Sequence, residues 1–464
     1  MKKLLALFIC FLFLSVPFTA FVSAETVLLG DVNKNGKIDA ADYAMVKRHY
    51  LRTYEMSEEQ KTIADCNGNK SIDAADYAMI KRHYLKTYVL KGTVEVGQSG
   101  NAGIKIGLLC LHDEISAFDN AFITGLENAC KANGVEYVIR RHVAENDMSI
   151  QAADELLRDG CNVVFGNSFG HDYYLPQAAK EHPDAHFFTA AGVTAGYNKL
   201  PNYHNIFYSA YEGRFLNGVA AGLKLNEMIN AGKIAADETV VGFVGSFTYA
   251  EVKSSYTAFY LGAKAVCPNV TMKVKFVGSW FDLDRESSAA KDLINEGCVI
   301  LSQFSESSAV ADVCEKAKLP YVVFGYNEER PGCVASLVPD WSVGFSYIIN
   351  ALTEGEEIPY DVTGTLRDGA MKYALGGGAA EGTEKTVAEY AERLKKGELF
   401  VFDTDTFTVE GKKLNTYMAD VIEDGNFEAD TQVIKDGHFA ESEFRSAPYF
   451  DLRIDGITLL NEYY

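Results

Sequence analysis

The 464-residue sequence reads as an α/β protein, two Rossmann-like lobes built on parallel sheets and preceded by a small all-α module. Three observations predict this. Two near-identical loop-and-helix segments begin 34 residues apart, at Asp31 and Asp65. Beyond residue 103, strand-length apolar runs alternate with helix-length amphipathic runs, the pattern of parallel sheets covered by helices. Within that stretch one helix–Gly–Cys–strand unit occurs twice, ending at Cys161 and again at Cys298.

Residues 1–24 carry Lys2-Lys3, an apolar run from Leu4 to Val16, then Val22-Ser23-Ala24. That is the order of charge, apolar core and small-residue cleavage site in a secretory signal. The run is too short to cross a bilayer, and Cys10 lacks the small preceding residue of a lipid-attachment site. The expectation is a secreted, extracellular or cell-surface protein starting near Glu25, with no direct membrane anchor. A formal charge of −21 disfavours nucleic acid and anionic membranes as partners. The eight cysteines left after cleavage include no Cys-x-x-Cys pair, which argues against a zinc site and leaves buried thiols as the plain expectation.

The first repeat places oxygen donors at positions 1, 3, 5, 9 and 12 of a twelve-residue loop, with a backbone carbonyl at 7. In loop one these are Asp31, Asn33, Asn35, Lys37 (carbonyl), Asp39 and Asp42; in loop two Asp65, Asn67, Asn69, Ser71 (carbonyl), Asp73 and Asp76. Hard oxygen ligands at this spacing suit calcium. So short a module buries little apolar surface, and metal binding should contribute to its folding. Position 6 favours positive φ; it is Gly36 in the first loop and Lys70 in the second, so the second of the two sites is expected to be weaker. Both loops end in Asp where a generic EF-hand has Glu, and no helix precedes the first. Residues 28–90 thus resemble a type I dockerin. The resemblance implies a cohesin domain of a scaffoldin as partner, met by Ala40, Ala41, Lys47 and Arg48 or by the equivalent Ala74, Ala75, Lys81 and Arg82, with docking possible in either orientation.

After a linker at 91–103, strands are expected at 105–110, 135–140, 162–166, 185–190 and 206–210, then at 239–245, 272–278, 299–303, 321–325 and 334–338. Two like lobes imply a cleft at the carboxyl ends of their strands, with hinges near Ala210 and Phe324. The strand-end residues include Phe118, Asp119, Asn120, Ser168, Phe169, Trp280, Gln303 and Asn327. Aromatic faces can sandwich a flat ring while amides and carboxylates hold its edge.

Residues 104–352 resemble the basic membrane protein family of type I solute-binding proteins, on the spacing from Phe118 to Gly125 and the segment Tyr211 to Gly222. The resemblance implies the type I periplasmic-binding-protein fold, no enzymatic activity and a small planar polar solute, plausibly a purine nucleoside. It implies Phe118 as the stacking aromatic, Asp119 as a polar contact, Trp280 as the opposing stack, and Asn327, Asp340 and Trp341 near the ribose. An ABC transporter permease is a further partner it suggests. The domain is assigned to 104–400, and 401–464 to a C-terminal extension packed on it, too rich in Phe and Tyr for a solvated tail.

The rival reading is a dockerin-borne α/β-hydrolase. Gly166-Asn-Ser168-Phe-Gly170 fits a nucleophile elbow, but Ser168 would follow only the third strand and no His-Gly-Gly-Gly segment precedes it. A structural or sensor subunit without a transported ligand is a third possibility.

Overall fold

The computed structural model describes residues 24–463 apart from 53, 55, 57, 98–102, 326–329, 423–424 and 426–427. Except for Ala24, the expected leader lies outside the described residues. The chain divides into two units after Gly103.

The first unit comprises β1 (Ala24–Leu28), α1 (Ala40–Tyr50), α2 (Glu58–Ala64), α3 (Ala74–Tyr84) and β2 (Thr93–Gly97). Helices α1 and α3 start for the same reason. Asp39 accepts from the Ala41 amide and Asp42 reaches back to the Asp39 amide, while Asp73 and Asp76 repeat the box, satisfying N–H groups that have no helical partner. Val32, Val46, Ile63 and Ile80 close a small core, with Ile38 and Ile72 of the two loops packed against it. The unit is not all-α, however. β1 and β2 form an antiparallel ladder, Ala24 opposite Gly97 through Leu28 opposite Thr93, so part of the expected linker is a strand.

The second unit has two lobes. In the first, β3 (Lys105–Leu109), α4 (Ala117–Asn133), β4 (Glu136–Arg140), α5 (Met148–Arg158), β5 (Val163–Gly166), α6 (Leu175–Glu181), β6 (His186–Ala190), α7 (Ala195–Asn198) and β7 (Tyr203–Tyr208) follow one another. The second contains α8 (Ala210–Asn230), β8 (Val240–Gly245), α9 (Ala250–Val266), β9 (Thr271–Phe276), α10 (Leu283–Asn295), β10 (Ile300–Gln303), α11 (Ala309–Ala317), β11 (Tyr321–Phe324) and β12 (Cys333–Pro339). The chain returns through α12 (Trp341–Glu354) and β13 (Asp361–Gly364) to the first lobe, then through β14 (Met371–Leu375) and α13 (Thr383–Lys395) to the second. The sheets run β13-β7-β6-β5-β3-β4 and β14-β12-β11-β10-β8-β9, the latter extended by a terminal strand, Ile457–Leu459. Apart from antiparallel β14, every named pairing in the two sheets is parallel. Five strands follow the same order in each lobe, β4-β3-β5-β6-β7 and β9-β8-β10-β11-β12.

The doubled helix–Gly–Cys unit is α5 into β5 and α10 into β10. Both turns pass through a left-handed glycine, Gly160 and Gly297, each at φ +88, and both then bond the cysteine amide back to the helix, Cys161 to Leu156 and Cys298 to Leu293, each at 3.0 Å. Strand β5 is buried throughout, as a parallel strand covered on both faces must be. The lobes join where β7 leads into α8, where β12 leads into α12, and between β13 and β14. The second of these lies at Pro339–Asp340 rather than near Phe324, which ends a second-lobe strand. The eight cysteines within the described residues are buried free thiols.

Candidate functional site

In each loop of the first unit backbone amides fix the donor side chains. Asp31 accepts from the Asn35 and Gly36 amides at 3.0 and 2.8 Å, and Asn35 from Lys37 at 2.9 Å. Asp65 and Asn69 repeat this with Asn69, Lys70 and Ser71 at 3.0, 2.8 and 2.8 Å. These amides hold the side chains in place and leave each oxygen further acceptor capacity. Asp42 and Asp76 are fully buried; burial and then neighbouring carboxylates push both upward from the usual range, against the amides that favour their charge. A hard cation would relieve that crowding, so the residues fit calcium. Lys70 stands at φ +62 where Gly36 stands at +82, and Lys34 at +54 where Gly68 stands at +72, so each loop holds one lysine in the left-handed region. All eight of the Ala and Lys/Arg positions predicted to meet a partner are exposed. The apolar ends of the same helices are exposed as well, Tyr50 and Leu51 matching Tyr84 and Leu85, a pair that the sequence reading passed over.

In the second unit a cleft lies between the lobes at the carboxyl ends of their parallel strands. Its cavity is only about 20 Å³, room for about one water, so the lobes stand nearly closed on each other. Phe118, Ser168, Phe169 and Ala191 line it from the first lobe; Glu251, Trp280, Phe304, Glu306 and Phe324 line it from the second. The aromatics form a chain. Phe118 and Phe324 stack across the lobes at 6.4 Å and 24°, Phe324 meets Phe304 at 6.4 Å, and Phe304 meets Trp280 at 6.4 Å.

The charged groups around this wall are held in place by the interior. Arg214 on α8 is fully buried, with its guanidinium 5.6 Å from the Phe304 ring centre and 5.2 Å from that of Phe324. Among the described residues its three nitrogens make no hydrogen bond, so the ring faces are its main compensation, and burial lowers its pKa to about 9. Burial and the nearby Glu306 raise Glu251 to about 8. Glu306 crosses the cleft mouth: its carboxylate accepts from Ser116 Oγ at 2.7 Å and lies 3.6 Å from His112 Nδ1. His112 is also 3.4 Å from Asp119. Burial would lower His112, but the two carboxylates more than offset this and raise it to about 10.

The stretch 111–363, more than half of the chain, matches the family of ABC transporter substrate-binding proteins described as PnrA-like. The chain belongs to that family. Residues 29–85 match the dockerin type I domain, and type I dockerins generally bind calcium. A purine-binding protein of Brucella abortus is 29% identical over 273 residues, 58% of this chain and 73% of that one. A Haloferax volcanii protein, provisionally described as an ABC transporter glucose-binding protein, is 27% identical over 274 residues, 58% of this chain and 66% of that one. A solved ABC transporter solute-binding protein from Conexibacter woesei superposes with a TM-score of 0.53 at 18% identity, covering 64% of this chain and 98% of that one; it bears on the fold alone.

Within the PnrA-like domain the predicted ligand residues divide. Phe118, Ser168, Phe169 and Trp280 meet at the cleft. Trp341 does not. It is 2% exposed and stacks on Phe122 and Tyr208 at 3.9 and 4.1 Å in the first lobe's core. Gly125 belongs to the same packing, since a Cβ there would lie 2.5 Å from that of Trp341. Asp340 caps α12 and pairs with Lys372 at 2.5 Å. Asp119 is 1% exposed and held by the His112 amide at 3.1 Å and Asn167 at 2.8 Å, so its lone pairs serve the interior. Gln303 donates to the Ser305 and Ser307 carbonyls at 2.6 and 2.7 Å and shapes the loop carrying Glu306. Half-buried Asn120 is not among the lining residues, and Asn327 lies outside the described residues. Glu251, Glu306 and Arg214 were not predicted. Arg214 was visible in the segment Tyr211 to Gly222, but no local pattern says that it is buried.

The hydrolase reading finds no support. Ser168 Oγ donates to Glu145 at 2.7 Å, while the His171 ring faces the Val143 carbonyl and the Ser168 amide. Ser168 therefore has no histidine base among the described residues. The family whose model matches is one of substrate-binding proteins.

Proposed function

We propose that this is a secreted solute-binding protein, not an enzyme, that captures a flat heteroaromatic solute, a purine nucleoside or its base, between its lobes. A calcium-loaded dockerin would attach it to the cohesin of a scaffoldin. The observation that carries the solute class is the composition of the cleft: five aromatic rings against three polar side chains, Ser168, Glu251 and Glu306. A polyhydroxylated sugar would leave hydroxyls without partners on such walls. A purine offers two apolar faces and edge N–H donors for which the carboxylates are acceptors. A ring between two parallel rings needs about 7 Å, twice a carbon–carbon contact. Phe118 and Phe324 stand 6.4 Å apart, so entry requires the lobes to part slightly and hinge position is coupled to ligand. The two calcium ions would occupy Asp31 to Asp42 and Asp65 to Asp76, and the docking surfaces would be Ala40, Ala41, Lys47 and Arg48 or their repeats. Whether captured solute passes to an ABC permease is a separate question from capture.

Isothermal titration with adenosine, guanosine, adenine and glucose tests the reading. Binding of at least one purine compound, abolished in Trp280→Ala and Phe118→Ala, is expected. Binding of glucose alone would overturn the solute class.

A further inference from the structure

The last residues of the chain lie outside the stretch 111–363 that matches the PnrA-like family, yet they end against the loops that carry the cleft. We propose that the segment 457–463 is a brace for the second lobe's wall, and that Asn461 and Tyr463 are positioning residues for Trp280.

The contacts run in order along the segment. Ile457–Leu459 pairs in parallel with β9, Ile457 opposite Met272 through Leu459 opposite Val274, and the Leu460 amide continues to the Val274 carbonyl at 2.9 Å. Asn461 then takes over with its side chain. Its Oδ1 accepts from the Phe276 amide at 2.7 Å and its Nδ2 donates to the Phe276 carbonyl at 2.9 Å, so the side-chain amide stands in for one more peptide unit of the ladder. Two residues on, Tyr463 bonds the neighbouring loop: the Thr248 amide donates to its carbonyl at 2.6 Å, and its own amide donates to Thr248 Oγ1 at 2.9 Å. The Tyr463 ring lies beside left-handed Gly278, where a Cβ would sit 3.2 Å from it.

The two loops tied in this way are those that set Trp280. One leaves β9 through Gly278 and presents Trp280 two residues later. The other carries Phe247 and Tyr249, whose rings meet Trp280 at 5.0 and 6.2 Å, and leads into α9 and Glu251. Without the segment β9 would be an edge strand, its outward backbone groups left to water, and the Trp280 loop would begin at a glycine with no neighbour on that side. Loops with few fixed backbone bonds open at low cost, and a stacking ring contributes only when its position is held.

The test uses the full chain and the fact that it has two tryptophans. Trp341 is 2% exposed, so acrylamide quenching of fluorescence reports Trp280 whether or not a ligand has been identified. Asn461→Ala and Tyr463→Ala should each raise the quenching constant of the accessible tryptophan about twofold, with Asn461→Asp between wild type and Asn461→Ala because it keeps the acceptor for the Phe276 amide. The double variant should weaken adenosine binding about fivefold, the equivalent of one net hydrogen bond, a readout that also rests on the nucleoside reading. Hydrogen exchange at the Phe276 and Thr248 amides confirms that the brace has been released. Faster exchange there with unchanged quenching would overturn the proposal. Wild type that binds none of adenosine, guanosine and adenine would sink the nucleoside reading and leave the brace to be decided by quenching alone.

Discussion

The dockerin and the PnrA-like domain keep their acidic groups in opposite circumstances. In the dockerin, Asp42 and Asp76 are fully buried at the edge of a core built on a few side chains such as Val46 and Ile80; their nearest charged neighbours are other carboxylates. In the PnrA-like domain the buried acids have cationic or hydrogen-bonding partners from the same chain, as Asp119 has His112 and Asn167, and the cores cover both faces of two sheets. Within the first unit these acids face like charge that a bound cation would relieve, whereas the buried acids of the second have partners in their own domain. The two should therefore come apart under conditions that address one and not the other.

Calcium removal gives the largest difference. At a thousandfold excess over its dissociation constant, each bound ion stabilises the folded form by about 4 kcal/mol, so two sites contribute on the order of 8 kcal/mol. Calorimetry in EGTA should show the first unit's transition lost and the second's in place. A single transition that moves as a whole would break the contrast. The reverse experiment is Gly218→Val on α8. A Cβ at Gly218 would sit 2.0 Å from the Phe259 carbonyl oxygen of α9, so the helices must separate. A loss of about 3 kcal/mol in urea unfolding is expected for the second unit alone.

What the sequence made legible follows from what is local. The strands of both lobes could be placed because a run such as Val163 to Gly166, buried on both faces, has no polar phase to confuse it. The calcium loops could be read because all their donors lie within twelve residues. The cleft could be read only in part. Phe118 and Trp341 are both aromatics at helix starts after a strand, and only the packing of α4 against α12 decides that one faces the cleft while the other is core. Glu251 and Glu306 become site residues only because the lobes meet there. Strands that went unforeseen include β13, half-buried throughout and so without alternation, β14 beyond the last expected strand, β1 and β2 at the two ends of the first unit, and the terminal strand within an apparent tail.

Within the second unit the pH response sharpens the contrast. His112 rises from 6.5 to about 10 in the fold, so its stabilising contribution is complete below pH 6.5 and is lost as pH climbs towards 10. Glu251, raised to about 8, acts in the same direction, since burial keeps it neutral and rising pH ionises it. Because His112 is 32% exposed, the loss is set at on the order of 1–2 kcal/mol rather than the full shift. Urea midpoints of the second unit should fall between pH 6.5 and 9.5, and His112→Gln should flatten that slope. An unchanged slope in the variant would mean that Asp119 and Glu306 do not hold the imidazolium.

The smallest effect lies inside the dockerin, where the two loops exchange lysine and glycine at two left-handed positions. Lys70 holds φ +62 where Gly36 holds +82, but Lys34 holds +54 where Gly68 holds +72, so each loop carries one L residue in a conformation that costs about 1 kcal/mol, and the weaker second site expected from position 6 does not follow from the backbone. The amide contacts also match loop for loop, Lys70 to Asp65 at 2.8 Å as Gly36 to Asp31 at 2.8 Å. Two-site titration of wild type should therefore find two sites of similar affinity. Lys70→Gly should tighten the second about fivefold, and Lys34→Gly should tighten the first by a similar factor. Lysine also brings a positive charge near the ion, which Lys70→Ala separates from strain. If alanine recovers most of what glycine recovers, charge rather than backbone conformation sets the cost of lysine there.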